Sequence, residues 1–189
     1  PIYILDNRNA GEYQMGGASR WWLHHSLAEL NEKLNGKLNF FQGDPQVIIE
    51  GICRRFNVTD MFWNRRYEPW RIARDKNIKA SGLAQGKNVR TFNASLLNEP
   101  WTILKKDGTP YKVFTPYYRQ VAMAGSNTKA LGVPQLVGTL NTDDQAITLD
   151  ELVLLPKVAW DTQFYDCWSP GESGAQSVLQ AFLANRLSS

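Results

Sequence analysis

Apolar residues along this chain fall into short continuous runs, separated by longer stretches in which they recur every three or four positions. The first run, residues 2–5 (IYIL), ends at Asp6-Asn7 and predicts a buried strand entering a loop. Beyond Gly16-Gly17, Leu23, Leu27, Leu30 and Leu34 repeat at helical spacing, with Glu29 and Lys33 one turn apart, until Asn35-Gly36 closes the element. Residues 38–41 (LNFF) predict the next strand. Asp44 then stands where a helix is capped and Pro45 at the first helical position, and Ile48, Ile52 and Phe56 share one face. Residues 60–64 (DMFWN) predict a third strand, followed by a helix to about Ala84 that Gly86 breaks, and residues 88–93 predict a fourth strand. Strands alternating with helices at this spacing are parallel strands joined by crossovers, and such strands are apolar throughout because helices cover both faces of the sheet. The predicted fold is α/β, an open, mainly parallel, Rossmann-like sheet flanked by helices.

After Val113 the pattern changes. Thr115 and Pro116 predict a helix start. Residues 124–155 contain Gly125, Gly132, Pro134 and Gly138 without any sustained period, the mark of a linker running over a surface. Ser169 and Glu172 have capping-box spacing, and the helix they introduce carries Val178, Leu179, Phe182, Leu183 and Leu187 on a face that needs a partner.

The composition suits a chain of 189 residues that buries a core: 43% of residues are hydrophobic and 21% charged. That length fits one domain, or one domain and the start of another. No apolar run approaches the roughly 20 residues of a membrane span, and the first residues, PIYILD, do not have the form of a signal peptide. A net charge of +3 does not by itself single out a nucleic-acid surface. Cys53 sits in a helical apolar pattern far from Cys167, which predicts a buried thiol in a reduced, intracellular protein. The common phosphate-cradling glycine motifs and the nucleophile elbow are absent. His24 and His25 are neighbours, about 100° apart on a helix, and cannot chelate one metal together.

The richest stretch is WNRRYEPWRIARD, residues 63–75, at the end of the third strand. Ligands of open parallel sheets bind beyond the carboxyl ends of the strands. Arginine and tryptophan together suit a flat, partly anionic ring, and Glu68 offers an acceptor to ring amino or hydroxyl groups. A plainer reading stands beside this one: Arg71 and Asp75, one turn apart, form a surface ion pair, Arg74 does the same, and Trp63 belongs to the core.

Taken in order, GGASRWWLHHSL, GDP, WNRRYEPWRIARD, EPW, YKVFTPYYR and the spacing W-x7-W-x-PGE-x-GA resemble the amino-terminal half of the DNA photolyase/cryptochrome family, most of all the microbial cyclobutane-dimer photolyases. The resemblance runs from Ile2 to Leu187. It implies an antenna-binding α/β domain over residues 1–121 that lacks the family's first strand, an interdomain linker over 122–156, and the start of an FAD-binding helical domain over 157–189, so that the chain is truncated at both ends. It implies light-driven repair of cyclobutane pyrimidine dimers by the full-length enzyme, a carbon–carbon lyase, with FAD and damaged DNA held by the missing helical domain and no activity in this fragment alone. A cryptochrome-like blue-light photosensor is the alternative. By matching position, Met15, Arg20, Glu68, Trp70 and Arg71 are expected to line the pocket of a light-harvesting antenna chromophore, either a folate such as methenyltetrahydrofolate or a deazaflavin or flavin. Folate-binding relatives carry an Asn-Glu pair where this chain has Trp70-Arg71. A cytoplasmic, monomeric full-length protein with no membrane partner completes the expectation.

Overall fold

The apolar runs of the amino-terminal half form four strands that pair two by two. In the computed structural model, which describes residues 1–125, 132 and 143–186, β1 (Ile2–Leu5) pairs in parallel with β2 (Asn39–Gln42), Ile2 opposite Asn39 and Leu5 opposite Gln42. β3 (Asp60–Asn64) pairs in parallel with β4 (Asn88–Phe92), Asp60 opposite Asn88 and Asn64 opposite Phe92. The fold is α/β, with parallel sheets flanked by helices: α1 (Gly17–Lys33), α2 (Pro45–Arg55), α3 (Pro69–Ala84), α4 (Phe114–Ala124), α5 (Phe164–Cys167) and α6 (Glu172–Arg186). Among the described residues the two strand pairs are separate sheets of two strands each. The chain forms two compact units, Pro1–Ile49 with Leu136–Ser189, and Glu50–Gln135, their boundary falling within α2.

In the first unit, Leu5 of β1, Leu27 of α1, and Leu38 and Phe40 at β2 build the core together with Leu152 and Leu154, which come from more than a hundred residues later. Much of the stretch read as a linker lies outside the described residues, but Ile147, Leu149, Leu152 and Leu154 from it join or pack against this core. Asn39 is buried and its Oδ1 accepts the Asp143 N–H at 2.7 Å, while the Ile147 N–H donates to the Phe40 carbonyl at 2.9 Å, so this segment runs along β2. Of the leucine stripe on α1, Leu27 is buried, Leu23 and Leu34 pack against the core, and Leu30 is exposed. The deepest residue of α1 is Trp21, 1% exposed, which lies edge-on to His25, Phe164 and Tyr165.

The start of α6 differs from the capping-box expectation. The helix begins at Glu172, and the carboxylate that receives its first-turn donors is Glu29 of α1, which accepts from the Ser173 N–H at 3.0 Å and hydroxyl at 2.6 Å. Lys33 completes a clasp, 2.7 Å from Glu29 and 3.0 Å from Glu172. Gly171 makes this approach possible: its φ is +98°, and a Cβ there would collide with the Glu29 carboxylate. One orphan N–H of the helix start, that of Ser173, is thus satisfied from another helix. The outward residues Val178, Leu179, Phe182 and Leu183 of α6 are exposed, as the sequence pattern implies for a face that needs a partner; Leu187 lies outside the described residues.

In the second unit, α3 lies over the β3–β4 pair. Ile78 and Gly82 are its buried residues, and a Cβ on Gly82 would meet the Met61 methyl and come 3.0 Å from Val89 Cγ2, so the glycine lets helix and strands approach closely. Cys53 is buried as expected, its Sγ 3.7 Å from Met61 Sδ. α4 starts at Phe114, with Val113 in the capping position rather than Thr115; Pro116 still falls in the first turn, where its missing N–H leaves no bond unmade.

One side chain closes the carboxyl end of this pair. The Arg65 N–H donates to the Phe92 carbonyl at 2.8 Å, extending the ladder beyond β3, and its guanidinium donates to the Thr91 carbonyl at 2.5 Å and hydroxyl at 3.0 Å. The same guanidinium grips Glu99 through both carboxylate oxygens, at 2.6 and 2.9 Å, and the Tyr67 hydroxyl donates to Glu99 at 2.6 Å. The Arg65 and Tyr67 bonds together hold the Glu99 carboxyl below its ordinary range, and burial followed by the bond to Glu99 pushes the Tyr67 hydroxyl up.

Two outcomes are expected. The Lys33 and Ser173 hydrogen bonds hold the Glu29 carboxyl at about 2, below its ordinary 4.5. A depressed folded-state value means that the contribution is complete above about pH 4.5 and fades as pH falls toward 2. In thermal unfolding followed by circular dichroism, the gap in midpoint between wild type and Glu29→Gln should be full at neutral pH and shrink over that acid range; a gap independent of pH would refute the clasp. Glu99→Ala, which strands the Arg65 guanidinium, should lower the unfolding midpoint more than Tyr67→Phe, and a midpoint equal to wild type would show that the Arg65–Glu99 pair holds nothing.

Candidate functional site

Beyond the Arg65 clasp the chain turns from β3 into α3. Pro69 occupies the first helical position and Glu68 the cap position, which sets Trp70, Arg71 and Arg74 in the opening turns of the helix. The Trp70 indole is partly buried and engaged by two cations: the Arg71 and Arg74 guanidinium carbons lie 4.9 and 5.3 Å from its ring centroid. Arrangements of this kind contribute roughly 0.5–2 kcal/mol each. Glu68 approaches Arg71 at 3.4 Å, and Asp75 takes Arg74 at 2.7 Å. The expected Arg71–Asp75 pair is therefore replaced by two others, and Arg71 is turned back toward the strand end. Burial raises the Glu68 carboxyl, but a bond from its own N–H and the nearby Arg71 and Arg66 charges outweigh that and leave it below the ordinary range.

Arg71 Nε is buried and makes no hydrogen bond among the described residues. A buried donor without a partner costs stability, and it fits an acceptor atom brought by a ligand. The assembly thus offers a fixed indole, two guanidinium groups and an exposed carboxylate, a set able to hold a flat ring that carries negative charge and a hydrogen-bonding edge. The indole is already engaged by the chain's own cations, Arg71 and Arg74.

The five residues singled out in the sequence fall in different units. Glu68, Trp70 and Arg71 come together as described. Met15 and Arg20 belong to the first unit, where Met15 packs against the core cluster and Arg20 donates to the Val153 and Leu152 carbonyls at 2.9 and 3.5 Å. Sequence reasoning did not foresee Arg74 as the second cation on Trp70; its signal was the spacing of four residues from a helical aromatic. It also did not foresee the Arg65–Tyr67–Glu99 network, whose partners are more than thirty residues apart and follow no local rule.

His24 and His25 face each other edge-on at 5.2 Å, and among the described residues the buried His24 Nδ1, His25 Nε2 and Trp21 Nε1 find no hydrogen-bond partner. Burial and then the His24 charge push the His25 imidazole below its ordinary value, against a smaller upward pull from Asp161. Among the described residues no three His, Cys, Asp or Glu side chains gather as a metal site, and no helix is long and apolar enough to cross a membrane.

The DNA photolyase family model matches residues 1–135. The deoxyribodipyrimidine photo-lyase of Agrobacterium fabrum is 36% identical over 191 residues, covering 99% of this chain and 39% of that protein. Cryptochrome-2 of Arabidopsis thaliana is 28% identical over 199 residues, covering 99% of this chain and 32% of that protein. Among solved structures, a bacterial class III photolyase from Agrobacterium tumefaciens superposes with a TM-score of 0.77 at 35% identity, covering 97% of this chain and 38% of that one. The chain therefore spans about two fifths of the length of these photolyases. On the family match and the identity across almost its whole length, this chain belongs to the DNA photolyase family.

Proposed function

We propose that this chain is the light-collecting, amino-terminal part of a deoxyribodipyrimidine photolyase, and that its share of the work is to hold an antenna chromophore. The observation that carries the second half of this reading is the Trp70 indole engaged by Arg71 and Arg74 at the tip of β3, with the buried Arg71 Nε, unpartnered among the described residues, beside it. Energy transfer from a pigment depends on the distance and orientation of its ring, so the protein's task is to fix a ring rigidly. A chromophore acceptor atom would satisfy Arg71 Nε, its anionic group would pair with the guanidinium groups, and Glu68 would take a ring amino or hydroxyl hydrogen. Met15 and Arg20 remain part of the proposed set through the resemblance alone.

On the same reading, residues 1–121 are the antenna domain, 122–156 an interdomain linker and 157–189 the beginning of the flavin-binding helical domain. FAD and the dimer-containing DNA would bind in portions of the longer protein that these residues do not span, so the chain by itself would split no dimers. The photolyase identity of 36% over nearly the whole chain favours the repair enzyme. The match to a plant cryptochrome, 28% over the same extent, keeps a blue-light photosensor as the second reading. A cytoplasmic, monomeric whole protein is part of the proposal.

Fluorescence polarisation of methenyltetrahydrofolate and of a deazaflavin, each titrated with the complete protein, tests the site. One of them should bind, and Trp70→Ala should weaken that binding by at least about tenfold, the equivalent of 1.4 kcal/mol. Binding that Trp70→Ala leaves unchanged would remove the β3 tip as the pigment site.

A further inference from the structure

The two sides of α3 differ in an unusual way. Its inner side, with the buried Ile78 and Gly82, lies against Met61 and Val89 of the strand pair. The outward side of an amphipathic helix is ordinarily polar, and this one is largely apolar. Ile72 and Leu83 are 49% and 53% exposed, and Ala73, Ala80 and Ala84 are exposed beside them. Lys76, Asn77 and Lys79 are the exposed polar residues among them. Ile72, Lys76, Lys79 and Leu83 follow at spacings of four, three and four, which sets them in one row about 16 Å long.

The charge on this side has a single sign. From Lys76 to Asn98 the chain has four lysines and arginines and no aspartate or glutamate. The whole second unit has fifteen lysines and arginines against six aspartates and glutamates, a net charge of +9 in a chain whose total is +3. Asp75 is the one acid within α3, and Arg74 takes it at 2.7 Å. Among the described residues neither Lys76 nor Lys79 has an ion-pair partner.

Apolar ends, a cationic middle and small residues alongside favour one kind of partner over others. A nucleic-acid backbone would pair the lysines but leave Ile72 and Leu83 in water. An uncharged apolar surface would cover those two and desolvate the lysines without compensation. The alanines let a second helix axis come within the usual 8–10 Å or so of packed helices.

We infer that the outward face of α3 docks an acidic amphipathic helix of a partner protein. Its apolar row would cover Ile72, Leu83 and the alanines, and its carboxylates would meet Lys76 and Lys79. The face shares no residue with Glu68, Trp70, Arg71 and Arg74, and it needs no pigment.

Fluorescence anisotropy of the complete protein with a labelled helical peptide of about 20 residues, leucines along one face and glutamates flanking them, tests the docking. The peptide should bind saturably, at least about tenfold more tightly than one of the same composition in scrambled order, and more weakly as salt is raised. Lys76→Glu, Lys79→Glu and Ile72→Ser should each weaken it several-fold, whereas Lys37→Glu, an equal change of charge off this face, should leave it unchanged. The three substituted residues of α3 are exposed, so their replacement leaves the core intact. Equal affinity for the scrambled peptide, absence of saturable binding, or indifference to the lysine reversals or to Ile72→Ser would each overturn the inference. A DNA duplex that loses affinity through the two lysine reversals, where the peptide does not bind, would give the face to nucleic acid instead.

Discussion

The bidentate ion pair between Arg65 and Glu99 is the interaction on which the second unit's candidate site depends. Among the described residues β3 and β4 have only each other as strand partners, so the ladder itself does not fix the chain once it leaves the last ladder bond. Arg65 supplies that constraint three times over: through its N–H to Phe92, through its guanidinium to Thr91, and through both carboxylate oxygens of Glu99. Charge-assisted, two-point bonds of this kind fix orientation as well as distance. Tyr67 adds its hydroxyl to the same carboxylate, and only then do Glu68 and Pro69 start α3. The direction in which Trp70, Arg71 and Arg74 project is inherited from this knot.

The first unit uses the same device with other residues. A charged side chain from α1 satisfies backbone groups more than a hundred residues away: Arg20 at the Val153 carbonyl, Glu29 at the Ser173 N–H. Both targets lie where regular structure ends and polar backbone groups would otherwise rely on water. Both bonds are exposed, so they add modestly to stability, and their main effect is on geometry. They also explain why glycines stand at the points of contact. Gly171 and Gly17 let a carboxylate and an indole come closer than any side chain would permit.

The strands were legible because their signal is local. Residues 2–5 and 60–64 match β1 and β3 as read, β2 is shifted by one residue, and β4 ends one residue earlier. Asp44 caps α2 as its position implied, accepting from the Gln46 N–H at 2.9 Å. What local pattern could not reveal is which partner wins when several are available. Ser169 has the spacing of a cap, yet Glu29 arrives from another helix and takes the role. Asp75 has the spacing to pair with Arg71, yet Arg74 beside it takes it and leaves Arg71 to Glu68. The leucines of α1 announced one buried face, while Trp21, off that stripe, became the most buried residue of the helix because α5 supplies Phe164 and Tyr165 to receive it. The ordered motifs carried the family, whereas the division of the five expected pocket residues between two units is a matter of packing that no spacing encodes.

The central claim is that these residues form the pigment-holding part of a flavin-dependent photolyase. An absorption spectrum of the complete protein, purified from its native host in the dark, addresses it most directly. The expected spectrum shows flavin bands together with a separate near-ultraviolet or blue antenna band, and both chromophores stay with the protein through gel filtration. A colourless protein that retains neither would contradict it.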